Sequence, residues 1–583
     1  LPEGIFNDFG VVAFGLKYWF LISSTSRRQA LQICSVTPAM ASTTPLRSDA
    51  EGSDEEDSRG TSVVGGNGVL TRLNLAMLSV GILSGAGLVA ICWAVGGGGS
   101  QLSTARFLDA QAAYFPSLHA PANVNFGGWL CLEDWFFSGT SGTEVSTIGE
   151  VGQGACLPPL LQGPLEAPWP SEGILVNRLV HSRGEEQTVN IFKAHRAHFI
   201  TADDLKVLQS MRVSTVRLPM VWAAFADALK DIAPEIYGAF DAHTDSVVIP
   251  DPFYKDAIKY VTIPRSMLQQ FLEDCTDHGL KVLIDIHAFP GGSSKGTYNG
   301  IWPLEPVFWF NSTSIGNSTS NMNGPDAGHL IVQNMIRWVE TLPLKAFTAI
   351  GGITVMNEPA HLLAGKIDAA QVVLPWLAKA ADMFRLSALP ARGIKLYMNL
   401  IETAFSGDFW NVVVQWWTST FTDAESTMWA VFDLHHYLAW EGEDEAGSGT
   451  KERTDANTDT HFNCDDAMTK VNRVLESLQS QWASTFASNV RGLKSSSEFS
   501  LSTAHSAAQA CEQLRITGAF LAWQLTSMKR YEIEPFFWTW RMPFGPNFQA
   551  AWSYKFHMGR EALYPSGSED PCLAATSGSE PEL

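Results

Sequence analysis

The feature that most limits what this chain can fold into is a regular alternation beyond residue 121. Short apolar runs, each one strand long, are separated by longer amphipathic stretches. The runs are NVNFGGWLCLE (ending at Glu133), STVRLPM (214–220), KVLIDIHA (281–288), GGITVMNEP (351–359), IKLYMNL (394–400), MWAVFDLHHY (428–437), NVRGLKSSSEF (489–499) and PFFWTW (535–540). Between them lie helical patterns such as TADDLKVLQSMR, where Thr201 ahead of two aspartates marks a helix start. Strands that are apolar on both faces need cover on both faces, which a parallel sheet with crossover helices supplies. Eight such units predict an α/β fold, a closed (β/α)8 TIM barrel.

Barrels of this kind carry their sites at the C-terminal ends of the strands. There the runs give up their apolar character: Glu133, Arg217, His287, Asn357 with Glu358, His435 with Tyr437, Glu498, and Trp538 with Trp540. Any one of them alone reads as a cap or a solvated loop residue, but their concurrence on one rim reads as a site. Glu358 and Glu498, on the fourth and seventh strands, face each other across the mouth. Two opposed carboxyls suit glycoside hydrolysis, one protonating the leaving oxygen while the other attacks, or activates water, at the anomeric carbon. Asn357 is placed to bond a sugar 2-hydroxyl. Arg217 and Tyr437 are expected to hold Glu498 ionised, and the neighbouring negative charge to raise Glu358 so that it stays protonated.

Charge narrows the partners. The net charge of -21 opposes binding of nucleic acid or any polyanion and favours a neutral substrate. Neither a metal-ligand constellation nor a phosphate or dinucleotide loop stands out, so no metal and no cofactor are expected. The eight cysteines contain no CxxC pair, and Cys131, inside the first strand, reads as a buried free thiol.

Ahead of the barrel the sequence changes character. Residues 1–39 read as an extension preceding a start at Met40, and residues 40–72 as an acidic, disordered cytosolic tail. Residues 73–96 read as a transmembrane signal-anchor helix, because Leu75 to Val95 is a run of 21 residues without a charge. At about 1.5 Å rise per residue such a run crosses a bilayer core about 30 Å thick. Arg47, Arg59 and Arg72 before the run, against Arg106 after it, predict a single-pass type II topology with the barrel in the secretory lumen or at the cell surface. Asn311 and Asn317 head Asn-x-Thr sequons that fit that placement as glycosylation sites. Residues 97–121 read as a linker and 573–583 as a disordered tail.

Seven motifs, NFGGWLCLEDW, STVRLPMVWAAF, LIDIHAFPGG, ITVMNEPA, DLHHYLAW, SSSEFSLS and FFWTWR, stand in this order along the chain. Together they resemble the exo-β-1,3-glucanases of glycoside hydrolase family 5, clan A, over residues 122–572. The resemblance implies that Glu358 is the general acid/base and Glu498 the nucleophile of a retaining double displacement. It places Glu133 on hydroxyls of the terminal sugar and Arg217, His287, Asn357, His435 and Tyr437 around the reacting ring. Trp538 becomes the aromatic floor, with Trp540 as its substitute. Trp440 and Tyr298 become the jaws of an aromatic clamp at the entrance, although barrel-rim packing accounts equally well for both. Cys464 and Cys572 match a disulfide of the family. The implied substrate is β-1,3-glucan, with another β-glycan or a glucolipid, or a non-catalytic glucan-binding role, as alternatives. The chain departs from the family pattern at Ser497 and Phe499, which flank Glu498 where Gly and Trp are common, and in the long segments 150–195 and 441–463.

Overall fold

The computed structural model describes residues 121–133, 136, 169–310, 314–315, 322–363, 366–400, 407–438, 476–503, 514–542 and 551–558. The expected anchor at Leu75 to Val95, the clamp residue Trp440, the pair Cys464 and Cys572, and the sequons at Asn311 and Asn317 lie outside the described residues. Among the described residues, no helix is long and apolar enough to cross a membrane.

The eight expected strands form: β1 (Asn123–Asn125), β2 (Thr215–Val221), β3 (Lys281–Ala288), β4 (Ile350–Thr354), β5 (Lys395–Asn399), β6 (Ala430–Leu438), β7 (Leu493–Thr503) and β8 (Ile533–Phe537). They pair in parallel and in chain order, and the barrel closes where Asn123 and Val124 of β1 lie opposite Phe536 and Phe537 of β8. Every residue of β2 is buried, and in β3 all but the first. That follows from covering both faces: one side of each strand packs on helices while the other fills the barrel. Leu283, Tyr397, Val431 and Phe536, from β3, β5, β6 and β8, form a small cluster of their own. Side chains from non-adjacent strands can meet only inside the barrel, so this cluster is an interior layer below the site.

The outer helices follow their sequence signals. Thr201 caps Ala202–Ser210 with a full capping box, its hydroxyl taking the Asp204 N–H while the Asp204 carboxylate takes the Thr201 N–H at 2.9 Å. Asn323 caps Gly324–Thr341 in the same sense, and both helices bury one apolar stripe.

Two strands are shorter than the apolar runs suggested. β1 ends at Asn125, because Gly127 and Gly128 turn the chain. Gly128 has φ +76°, and a Cβ on Gly127 would meet the Phe136 and Trp538 rings at 2.9 and 3.0 Å. Leu130 rejoins β2 by one bridge to Met220, so Glu133 stands on a loop rather than a strand end. β4 likewise ends at Thr354, ahead of Asn357 and Glu358.

Candidate active site

Side chains two apart on a strand point the same way, and this spacing stacks the site in two layers. On β3, Asp285 lies below His287, and its carboxylate accepts from the His287 Nδ1 at 2.7 Å. On β6, Asp433 lies below His435, and Ser497 on β7 bridges them, its hydroxyl bonded to both the Asp433 carboxylate and the His435 Nε2. Arg217 enters from β2, fully buried, and its guanidinium reaches Asp285 at 2.9 Å, Asn125 at 2.9 Å, Asn357 at 2.7 Å and Glu498 at 2.6 Å. Burial works against its charge, but Asp285, Glu498 and Asp433 outweigh burial and hold it firmly protonated.

Glu498 sits where the β7–β8 register shifts between Ser496 and Phe499, a bulge that re-aims its side chain into the mouth. Its Oε1 takes Arg217, and its Oε2 takes the Tyr437 hydroxyl at 2.7 Å, the two contacts expected of it. Burial and the Glu498 charge together push the Tyr437 phenol up.

Glu358 stands four residues past β4 with φ +38°. The turn is fixed by its own N–H, bonded to Asn399 Oδ1 at 2.7 Å, and by the Ser294 hydroxyl, which donates to its carbonyl. His435 stands between the two carboxyls, its Nδ1 2.6 Å from Glu358 Oε1 and 3.3 Å from Glu498 Oε2. One carboxylate oxygen of Glu358 lies within 4.8 Å of one of Glu498.

This geometry corrects the expected electrostatics. Burial works to raise Glu358, but the charges of His361 and His435 and the hydrogen bond from His435 hold its carboxyl well below the usual carboxylate range. For His435, burial works downward, but the Glu498 charge and the Glu358 hydrogen bond raise it to about 9. Of the pair, the imidazole therefore holds the proton, aimed at Glu358, rather than Glu358 itself. Glu358, His435 and Glu498 also present donors close enough together to hold a metal ion. With the Arg217 cation 2.6 Å from Glu498, that place favours a positive guest poorly.

The remaining expected residues divide. Glu133 is buried and accepts from the Thr297 hydroxyl at 2.7 Å. Trp538 is buried and stacks on His287, with ring centroids 5.5 Å apart. Tyr298 meets His287 edge-on at 5.8 Å and His361 at 6.5 Å, so it lies within the wall of the site rather than standing out as a jaw. Trp540 does not belong to the site. It is fully enclosed, and its Nε1 donates to Asp204 of the outer helix Ala202–Ser210 at 3.0 Å, because the side chain two residues past Trp538 is turned into the layer between barrel and helices. Cys131 is a buried free thiol, as expected.

Four polar residues that order the site were not expected to do so from the sequence: Asp285, Asp433, Asn399 and Ser497, the last noted only as a departure from the family pattern. The signal was present in Asp-x-His, which stands both in LIDIHA and in FDLHHY. An acid two residues before an inward imidazole, inside an apolar strand, must lie on the same inward face.

A scan against protein-family models finds no match. Among curated proteins, the chain is 23% identical over 256 residues to a probable glucan 1,3-beta-glucosidase A of Neosartorya fischeri, covering 44% of this chain and 48% of the relative. It is 22% identical over the same length to the protein of that name from Aspergillus fumigatus. The resemblance to family 5 glucanases stands. The chain spans about half the length of the curated relatives it matches. Among solved structures, a rutinosidase from Aspergillus niger aligns over 75% of this chain and 96% of its own at 16% identity and TM-score 0.45. A GH5-4 broad specificity endoglucanase from an uncultured bacterium aligns over 73% and 87% at 12% identity and TM-score 0.35.

Proposed function

We propose that this chain is a retaining glycoside hydrolase that cleaves β-1,3-glucan, releasing glucose from non-reducing ends and able to pass it to a second sugar. The observation that carries the reading is the pair Glu358 and Glu498, with carboxylate oxygens within 4.8 Å. Retaining enzymes hold their two carboxyls about 5 to 5.5 Å apart, whereas inverting ones need about 6.5 to 9.5 Å to admit a water.

In this mechanism Glu498, oriented by Arg217 and Tyr437, attacks the anomeric carbon. The bond to the leaving oxygen breaks as Glu358 protonates it, giving a glycosyl ester on Glu498 and a free alcohol. Water then enters, Glu358 removes its proton, and Glu498 departs. The proton for the first step comes through the 2.6 Å contact with His435. Arg217 holds Asn357 Oδ1, which leaves the amide NH2 to bond the sugar 2-hydroxyl. The enclosed Glu133, His287 and Trp538 support recognition of a single terminal sugar. The names of the curated relatives support β-1,3-glucan as substrate. The uncharged run from Leu75 to Val95 supports a membrane anchor with the barrel on the luminal or outer side.

The test is incubation with a laminarin-type glucan. Wild type should release glucose, and Glu358→Gln and Glu498→Gln should each lose about 100-fold or more. Wild type and Glu358→Gln releasing sugar at equal rates would defeat the proposal.

A further inference from the structure

Four rings follow one another along one wall of the site. Trp538 stacks on His287 at 5.5 Å with planes 7° apart, Tyr298 meets His287 edge-on at 5.8 Å, and His361 lies 6.5 Å beyond Tyr298. Exposure rises along the row. Trp538 and His287 are buried, Tyr298 and His361 are partly exposed, and Leu362, which follows His361 in the chain, is 48% exposed. An exposed leucine in the turn that carries Glu358 calls for a reason.

The backbone sharpens the question. Glu358, Ala360 and Leu362 all have positive φ, at +38°, +60° and +57°. Left-handed backbone is unfavourable for residues with a Cβ, and it persists where surrounding contacts over-determine it. Here the loop after β3 does so. Ser293 O accepts from Ala360 N–H at 3.0 Å, and Lys295 N–H donates to His361 O at 3.1 Å. The same loop carries Tyr298 three residues on, so the turn and the tyrosine are held against each other.

Position along the wall assigns a role. Glu358 lies beside the outer half of the row, its carbonyl accepting from the His361 N–H at 3.1 Å. An acid carboxyl faces the bond being broken, so rings on its inner side face the sugar that Glu498 attacks. Groups beyond it face the unit that departs.

Building on the glycosidase reading, we propose that His361 and Leu362 form part of the leaving-group subsite. The imidazole hydrogen-bonds a hydroxyl of the departing unit, and Leu362 packs against that unit's apolar face. The ligand is therefore a hydroxyl-bearing unit with one apolar side, the chemistry of a second β-linked glucose residue. The same contacts would hold an acceptor sugar during transfer.

The test compares two substrates with the same inner sugar. A β-1,3-linked glucose trisaccharide presents a leaving unit to His361, whereas methyl β-glucoside, whose leaving oxygen needs the same acid, presents only a methyl group. In His361→Ala the ratio of kcat/KM for trisaccharide to that for methyl β-glucoside should fall about tenfold, the worth of one hydrogen bond with its packing. His361→Asn should recover part of that ratio, and Leu362→Gly, which suits the left-handed backbone, should lower it about threefold. The ratio cancels losses of folded protein or of acid catalysis common to both substrates, so a ratio unchanged in His361→Ala and Leu362→Gly would overturn the assignment while leaving the glycosidase reading intact. Wild type inactive on both substrates would overturn the glycosidase reading, and this assignment with it.

Discussion

In the proposed mechanism His435 is the residue on which the chemistry turns, because it touches both carboxyls and would supply the proton one of them delivers. Its raised value of about 9 makes the sign of a pH effect explicit. The site keeps its proton below that value and loses it above, so kcat/KM should fall as pH rises through about 9. In His435→Asn the cation beside Glu358 is gone, and that limb should move down by at least two pH units; a pH profile of the variant that matches wild type would contradict the account. Arg217 makes a second residue-scale prediction. Removing it leaves Asp285 and Glu498 buried without their shared cation, which costs about 3 to 5 kcal/mol. Arg217→Met should therefore lower the urea midpoint sharply as well as the activity. At this scale much of the site was legible in the sequence: the Glu pair, Arg217, His435 and Tyr437 could be named because each is a polar group in or just past an apolar strand, although Arg217 stands inside β2 and not at its end. The layer beneath was not read, because Asp285 and Asp433 lie inside apolar runs where only the two-residue period marks them. Trp540 misled because two residues past Trp538 it would share that residue's face on a strand, but β8 ends at Phe537 and the two-residue period does not carry on.

Among the elements, the strands were the legible part and their ends were not. Continuous burial on both faces writes itself into apolar runs, but the runs of β1 and β4 continue past the last paired residue because the loops they enter are buried too. Helix Glu172–Arg183, within a long segment between β1 and β2, shows how such loops are fixed. The Glu172 carboxylate accepts from Leu132 N–H at 2.8 Å, next to Glu133, while Gly173 N–H bonds Gly300 O at 2.9 Å. One helix start thus ties together the two loops that bring Glu133 and Tyr298 to the site. Burial, only partly offset by the Arg196 charge and the Leu132 hydrogen bond, raises Glu172 from 4.5 to about 7. A folded-state value above the unfolded one stabilises below the unfolded value, and that contribution is lost as pH rises through the folded value. The interval amounts to roughly 3 kcal/mol. Wild type should lose more stability than Glu172→Gln between pH 5 and pH 8 in urea unfolding; equal losses would show that the carboxyl is not enclosed as described.

For the whole molecule, eight parallel strands closing in chain order bring residues as distant as Asn125, Arg217, Asn357 and Glu498 onto one guanidinium. Closure itself is not written in any single run; it follows from the number of units and the need to bury both faces of each strand. The net charge of -21 is compatible with a neutral glycan and sets no part of the fold. The central claim is that Glu358 and Glu498 act together with retention, and the anomer formed first reports on it directly. Proton NMR of the earliest glucose released from a β-1,3-glucan should show the β-anomer, with the α-anomer growing only as mutarotation proceeds. Initial release of α-glucose would contradict the account.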